Sequence, residues 1–491
     1  MDKEFKLLGY WRDSANPEKT LQGNLKFIPN KGGYLELIGS FKNLKREDLD
    51  SGRDMKEIMR DIEEDPKYQD KQNIDVILGF TVDGKEVTLR NCVESNFQLT
   101  ISHNELVIRT EYWVQMVVVG AWFTSEIKLR DMSVVFSHVD EWLTIFKIGR
   151  HASFSKKEVY VAATSEDSRS FPINSDLKIA LEIPTKVDEL RNFRASLKKI
   201  AIEQYPLFII QFSQEKTLDD YHQIMIRFRN LLSLILCQPI NILSIKCTSE
   251  AIKVIEKTVV HYPEIEIYFS FAVKQDFDSR PKNAEDFLIQ YDKISPQLTD
   301  ILKSWFSGYA KFEPIYDIFF DSFFNKQTYL YHTFLTMIQA IESLHRRLYP
   351  SKTMLSSEEF EEVKKEVFKL SLSSEAVDLL KTRLKYANEL TLRKRLKDTI
   401  EGHNHFVNLF KDNREISEFI DKIVNTRNYL THYDDSLRTQ SAKEDELHEI
   451  TDKLTMILYF LILQILGFNP EYLERVFKRH WKYEKLFTHE P

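Results

Sequence analysis

The segment Asn425-Thr426-Arg427-Asn428-Tyr429-Leu430-Thr431-His432 holds the residues best suited to chemistry in this chain. A guanidinium is a permanent cation that grips phosphate oxygens through two parallel hydrogen bonds. An imidazole gives or takes a proton near neutral pH. Together, Arg427 and His432 can cleave RNA without a metal. Spacing alone does not single the segment out, because Arg475-Val-Phe-Lys-Arg-His480 repeats it. Asn428 and a helical context do. Asn428 lies four residues before His432, on the same helix face, where it can orient the imidazole or bind phosphate. Arg427 and His432 are about 140° apart on an ideal helix. They converge if the helix loosens at Thr431–His432, or if a second protomer completes the site. A two-fold contact would supply two arginines and two histidines from one short motif. The competing reading makes both residues simple cations at a helix C-terminus.

Other candidates are weaker. His403-Asn404-His405 spells a nuclease motif, but it lacks the ββα metal pattern and any nearby Asp, Glu or Cys at zinc spacing. It reads as a polar turn, and neither metal nor cofactor is expected. Lys381, Arg383, Lys385, Arg393, Lys394, Arg395 and Lys397 form a basic set that either guides an RNA backbone or is a solvated helical face. Lys31-Gly32-Gly33 is too short for a phosphate loop and reads as a turn. Trp11, Trp113, Trp122 and Trp142 read as sheet core, and any left exposed would mark a recognition surface.

The elements that must position these residues change character along the chain. Residues 1 to about 170 read as strands: Lys6–Arg12, Leu21–Pro29, Tyr34–Phe41, Val76–Val82, Glu86–Val93, Asn96–Ser102, Glu105–Gly120 and Ile127–Ser137. Asp83-Gly84 marks a hairpin. Lys42–Gln72 is a charged insertion. Leu177–Glu182, Leu207–Phe212, Ile240–Thr248 and Ile265–Val273 add strands, and Leu218–Leu236 reads as a helix. So many short strands predict a sandwich or barrel-like core. Lys274–Ala284 reads as a linker. Beyond it the period becomes helical: Ile294–Phe306, Phe312–Asn325, Tyr329–Leu348, a helix capped at Ser356 or Ser357, Ser374–Asn388, Leu392–Ile400, Arg414–Thr431 and Lys443–Leu466. Pro350 stops the third helix, and Gly467 and Pro470 stop the last. Leu330, Phe334, Met337, Ile338, Ile341 and Leu344 make one apolar stripe. The fold class is therefore α+β and multidomain, with a β-rich domain over 1–280 and an all-α bundle over 290–491.

Composition narrows the function classes. A net charge of −7 and a pI near 6.1 argue against a general nucleic-acid coat, though not against an RNA enzyme with a local basic pocket. Cys92, Cys237 and Cys247 cannot pair evenly, and none lies in a CxxC, which suits free thiols in a reducing cytoplasm. Met-Asp-Lys-Glu-Phe-Lys at the N-terminus lacks an apolar signal core. The longest apolar run, Leu454–Phe468, is interrupted by Thr455 and Gln464 and reads as a buried helix rather than a membrane span.

The chain resembles the HEPN superfamily, and within it the ApeA-like anti-phage proteins. The resemblance is carried by Arg427, Asn428 and His432, by Phe334-Leu-Thr-Met-Ile-Gln-Ala-Ile-Glu-Ser-Leu-His345 and by Leu384-Lys-Tyr-Ala-Asn-Glu-Leu-Thr-Leu-Arg-Lys-Arg-Leu396. Gly9-Tyr-Trp11, Leu21-Gln-Gly-Asn-Leu25 and the Trp142 region resemble the β-rich domain that precedes HEPN in these proteins. The resemblance implies an endoribonuclease of abortive infection, acting by 2′-OH attack to leave 2′,3′-cyclic phosphate and 5′-OH ends. It implies catalytic roles for Arg427, His432 and Asn428; Glu342 and Thr431 are the candidates for support, and Arg393, Lys394, Arg395 and Lys397 are the members of the basic set taken as RNA-contact candidates. Glu342 either pairs with Arg427 or faces solvent. The implied partners are RNA, with tRNA a reasonable class, a phage-derived trigger sensed by the β domain, and a second protomer in a dimer or larger even assembly. The alternative function is a non-catalytic RNA-binding or scaffold protein whose helical domain dimerises. A third reading, a carbohydrate- or protein-binding β module, requires an exposed aromatic platform on the β domain.

Overall fold

The computed structural model describes residues 4–42, 60, 70–102, 105–144, 147–153, 158–164, 168–189, 200–270, 284–325, 328–371 and 373–487. The chain divides into two compact units, Met1–Lys303 and Ser304–Pro491. Most of the charged Lys42–Gln72 insertion, and Lys274–Ala284 apart from its last residue, lie outside the described residues.

The first unit opens with seven strands: β1 (Phe5–Asp13), β2 (Asn16–Ile28), β3 (Gly32–Ile38), β4 (Asn73–Thr81), β5 (Glu86–Ser102), β6 (Glu105–Val119) and β7 (Lys128–Phe136). Alternation drives them. In β3, Leu35 and Leu37 are buried while Tyr34, Glu36 and Ile38 are exposed. The stretches expected as Glu86–Val93 and Asn96–Ser102 are one strand. A bulge between Glu94 and Asn96 lets both halves pair with β6. The order β6-β3-β2-β1-β4-β5, with β5 pairing back to β6, closes a six-stranded barrel.

A short helix, α1 (Val139–Leu143), then precedes β8 (Lys147–Ser153), β9 (Glu158–Thr164), β10 (Arg169–Pro172), β11 (Leu177–Glu182), β12 (Thr185–Glu189), β13 (Ile200–Gln204) and β14 (Leu207–Thr217). Helix α2 (Leu218–Leu236) starts at a Thr217–Asp220 capping box and is followed by β15 (Ile242–Thr248), β16 (Val254–Glu256), β17 (Val259–His261) and β18 (Ile265–Phe269). β6 links the barrel to this second set. Along one edge it pairs β5; on the other, Arg109–Val114 take β3 and Met116–Val119 take β18. From β18 the sheet continues through β15, β7, β14 and β11 to β10. α2 covers it: Phe228 packs edge-on against Phe136 and Phe208, and the Tyr221 hydroxyl donates to the Arg130 carbonyl at 2.7 Å.

Two further helices follow, α3 (Tyr291–Ile294) and α4 (Leu298–Phe324). The unit boundary falls inside α4, later than the linker expected near 280, because Trp142 holds the preceding residues. Its indole donates to the Ile289 carbonyl at 2.8 Å and packs edge-on against Tyr291. α4 also replaces the two helices expected over 294–325. Pro314 sits inside it, between Tyr309 and Tyr316, whose rings both pack on Trp305, the first edge-on and the second tilted at 31°.

The second unit contains α5 (Leu330–Leu348), α6 (Ser357–Phe368), α7 (Ser374–Leu384), α8 (Leu392–Glu401), α9 (Asn404–Val407), α10 (Asn413–His432), α11 (Glu444–Ile465) and α12 (Pro470–Arg479). The expected stripe is the core face of α5: Phe334, Met337, Ile338, Ile341 and Leu344 are buried, and Leu330 is half-buried. α6 begins at a Ser356–Glu359 capping box. Pro470 does not simply end the last helix. It occupies the first turn of α12, whose Asn469 cap accepts from the Tyr472 N–H at 3.1 Å. The 403–405 histidines are structural: His403 contacts the Thr399 carbonyl at 2.9 Å, and His405 contacts Glu474 at 2.6 Å. His480 of the rival motif is buried, and its Nδ1 accepts from the Lys482 N–H.

A β-carbon on Gly79 would meet the buried Trp11 ring at 2.2 Å. Gly79→Ala is therefore expected to destabilise the first unit by about 1–3 kcal/mol, read from denaturant unfolding. Burial favours the neutral form of Glu474, but hydrogen bonds from Lys478, His405 and Asn408 win and hold its pKa at about 2, below the usual 4.5. A depressed carboxylate pKa adds stability that is fully present above the unfolded value and lost as pH falls through the folded one. Glu474→Gln is expected to lower stability at neutral pH, with the gap from wild type closing between pH 4.5 and about 2.

Candidate active site

The site sits at the end of α10. Asp412 caps its start, accepting from the Arg414 and Glu415 N–H groups at 2.9 Å. Ile416, Phe419, Ile420 and Ile423 bury one face, and Thr426 takes the next place on that face. The stripe of side chains that anchors α10 therefore reaches to within one residue of Arg427. Thr426 is buried, and its hydroxyl makes two bonds: it donates to the Lys422 carbonyl at 2.7 Å and accepts from the Ala442 N–H at 2.8 Å. Asn425 adds a bond to Gln440 at 3.2 Å, and Lys422 pairs with Glu446 at 3.2 Å. These contacts tie the turn after the motif to the helix that carries it.

Arg427 is half-buried, and its Nη1 donates to the Asn428 Oδ1 at 3.1 Å. Among the described residues it has no carboxylate partner. His432 is exposed. The helix does not loosen before it. α10 remains α-helical through His432, and the backbone reverses only at Tyr433, with φ 51° and its N–H capping the Tyr429 carbonyl at 2.7 Å. Arg427 and His432 therefore keep the wide angular separation of an ideal helix. Asp434 follows. The Ser436 hydroxyl and N–H, helped by His432, hold its carboxyl below the usual range.

The supporting residues are placed differently from the sequence expectations. Glu342 does not meet Arg427. It pairs with Arg346 at 3.1 Å and lies 3.9 Å from Arg395, because α8 supplies a buried cation to that side of α5. The Thr431 hydroxyl donates to the Arg427 carbonyl, closing the last turn. Arg395 is not on the exposed basic set. It is 4% exposed, donates to the Leu390 carbonyl at 3.1 Å and contacts the His345 Nδ1 at 3.2 Å. Burial, then Arg395, lowers the pKa of His345 and favours its neutral form. Arg393, Lys394 and Lys397 stay exposed, but each has an acidic neighbour: Asp421, Asp398 at 3.8 Å and Glu401 at 3.6 Å. Among the described residues no cluster of His, Cys, Asp and Glu is arranged to hold a metal ion. Sequence reasoning missed Thr426, whose place on the buried stripe, one residue before Arg427, was the available signal.

Two family models match the chain. ApeA N-terminal domain 1 matches residues 6–305, and Apea-like HEPN matches residues 335–472. No curated protein and no solved structure matches it. Among the described residues no helix is long and apolar enough to cross a membrane. The barrel and its attached sheet fall in the first match, and α10 with Arg427, Asn428 and His432 falls in the second. The first match alone spans more than half of the sequence, and the chain belongs to the ApeA-like HEPN proteins of anti-phage defence.

Proposed function

We propose that this protein is a metal-independent endoribonuclease of abortive infection, working in the cytoplasm, with catalysis at Arg427, Asn428 and His432. The observation that carries this reading is an arginine with no carboxylate partner among the described residues and an exposed histidine five residues on, at the end of a helix fixed from behind by Thr426. His432 takes the proton of a ribose 2′-OH. The 2′-oxygen bonds to the adjacent phosphorus, and the bond from phosphorus to the 5′-oxygen breaks. The resulting imidazolium returns its proton to that 5′-oxygen. The products are a 2′,3′-cyclic phosphate and a 5′-OH. Arg427 binds the non-bridging oxygens as negative charge builds on them. Asn428, bonded to Arg427, fixes the guanidinium.

Because α10 stays helical through His432, Arg427 and His432 of one chain point apart by about 140°. An isologous dimer resolves this by pairing Arg427 of one protomer with His432 of the other. The β-rich domain, 1–280, is assigned to sensing a phage component and holding the 290–491 domain inactive. tRNA is the substrate class proposed, since its loops expose single-stranded nucleotides.

His432→Ala is expected to lower the cleavage rate roughly 10²- to 10⁴-fold, and Arg427→Ala by at least about 10²-fold, with helical content unchanged. Sequencing of cellular RNA ends beside the wild type checks both. EDTA should leave cleavage intact, and a 2′-deoxy nucleotide at the cut position should abolish it. Cleavage of that deoxy substrate would refute the chemistry. Co-expressed Arg427→Ala and His432→Ala chains are expected to regain about a quarter of wild-type activity. Half of such dimers are mixed, and each mixed dimer keeps one of two composite sites. No rescue would place both groups in one chain.

A further inference from the structure

The residue immediately after the motif is unlike the rest of the turn. Tyr433 is a large aromatic side chain left 75% exposed. Its backbone adopts the left-handed conformation, φ 51° and ψ 38°, a place where glycine or asparagine would be less strained. Its position is fixed all the same. Its N–H caps the Tyr429 carbonyl, and its ring meets the half-buried Tyr429 ring at 6.3 Å and 64°. The Asp434–Ser436 bonds and the Ala442–Thr426 bond hold the turn beyond it. The ring therefore stands on a rigid turn, next to His432 in sequence.

We propose that Tyr433, braced by Tyr429, is the platform on which an unpaired RNA base beside the cut phosphate stacks. This rests on the ribonuclease reading above. The chemistry of the surroundings selects the base rather than the backbone for this place. A phenol ring offers a π face that any nucleobase can cover. Asp434, the next residue, is an exposed carboxylate bonded by the Ser436 hydroxyl and N–H, and its charge disfavours phosphate beside the ring. The proposed reaction places the cut phosphate at His432, the residue before Tyr433, so the base next to that phosphate comes within reach of the ring. Cutting is thereby confined to nucleotides whose bases are free to leave a helix, which is the distinction between single-stranded and paired RNA.

The test uses the full-length, cleavage-inactive His432→Ala protein. The probe is a single-stranded RNA spanning a mapped cut position, with 2-aminopurine placed on either side of it. Stacking on an aromatic ring quenches this base. Quenching is expected on binding. It should be lost when Tyr433→Asn is added, with affinity falling roughly 5- to 150-fold, the equivalent of about 1–3 kcal/mol for one stacked base. Asparagine tolerates the left-handed backbone, so the cap and the fold are retained, which circular dichroism checks. Tyr433→Phe should restore the quench. Quenching and affinity unchanged in Tyr433→Asn would overturn the platform and leave the ribonuclease reading standing. Loss of a dimer in Tyr433→Asn, under conditions where the Tyr433 protein is dimeric, would reassign the ring to the protomer contact and overturn the platform. Absence of any cut position, or RNA that binds none of these proteins, would remove the ribonuclease reading and the platform together.

Discussion

The site depends on the hydroxyl of Thr426. It sits at the last buried position of α10, gives its proton to the Lys422 carbonyl and receives the Ala442 N–H. A buried N–H that loses its acceptor costs about 1–3 kcal/mol, so valine at this position would free the turn as well as weaken it. Everything that makes the motif usable lies within seven residues of this clamp. Arg427 flanks the buried stripe, His432 ends the helix in solvent, and Tyr433 reverses the chain.

The first unit rests on a different device. A barrel has no free edge, so further sheet can be added only where a strand outlasts its barrel partner. β6 does this. Past Val114, where β3 ends its pairing, Met116–Val119 accept β18 and with it the second sheet. Inside the barrel, Trp11 takes the space that Gly79 leaves empty and donates its indole N–H to the Gly23 carbonyl at 3.1 Å. Where the charged insertion leaves and rejoins the barrel, a buried Lys42–Glu94 pair at 2.8 Å is satisfied by the Asp70 carbonyl and the Gln72 N–H. Such a pair resists the removal of either partner far more than it rewards the fold for having both.

In the helical unit, polar burial decides which cations are available to a ligand. Arg395 and Arg427 look equivalent as letters, each an arginine in an amphipathic helix. Arg395 is spent inside, on Leu390, His345 and Glu342. Arg427 has no carboxylate partner among the described residues. Glu342 goes with Arg395 and Arg346 because those guanidiniums reach it.

Local periodicity and capping chemistry were legible without coordinates. The α5 stripe, a cap at Ser356 or Ser357, the α2 boundaries and the strands of β1–β7, apart from the joining of β5 into one, follow from side chains three to four, or two, residues apart. The motif at the end of α10 was legible for the same reason, since one helix carries all of it. What the sequence could not determine involved partners far apart along the chain. The barrel closes through β5 and β6 and opens onto β18, some 150 residues later. Pro314 lies inside α4, a helix whose Trp305, Tyr309 and Tyr316 rings pack together on either side of it. Pro470 begins a helix rather than only ending one because Asn469 is there to cap it. The fates of Glu342 and Arg395 were set by which helix faces meet, and the alternation of residues along one helix carries no information about the charge on its neighbour.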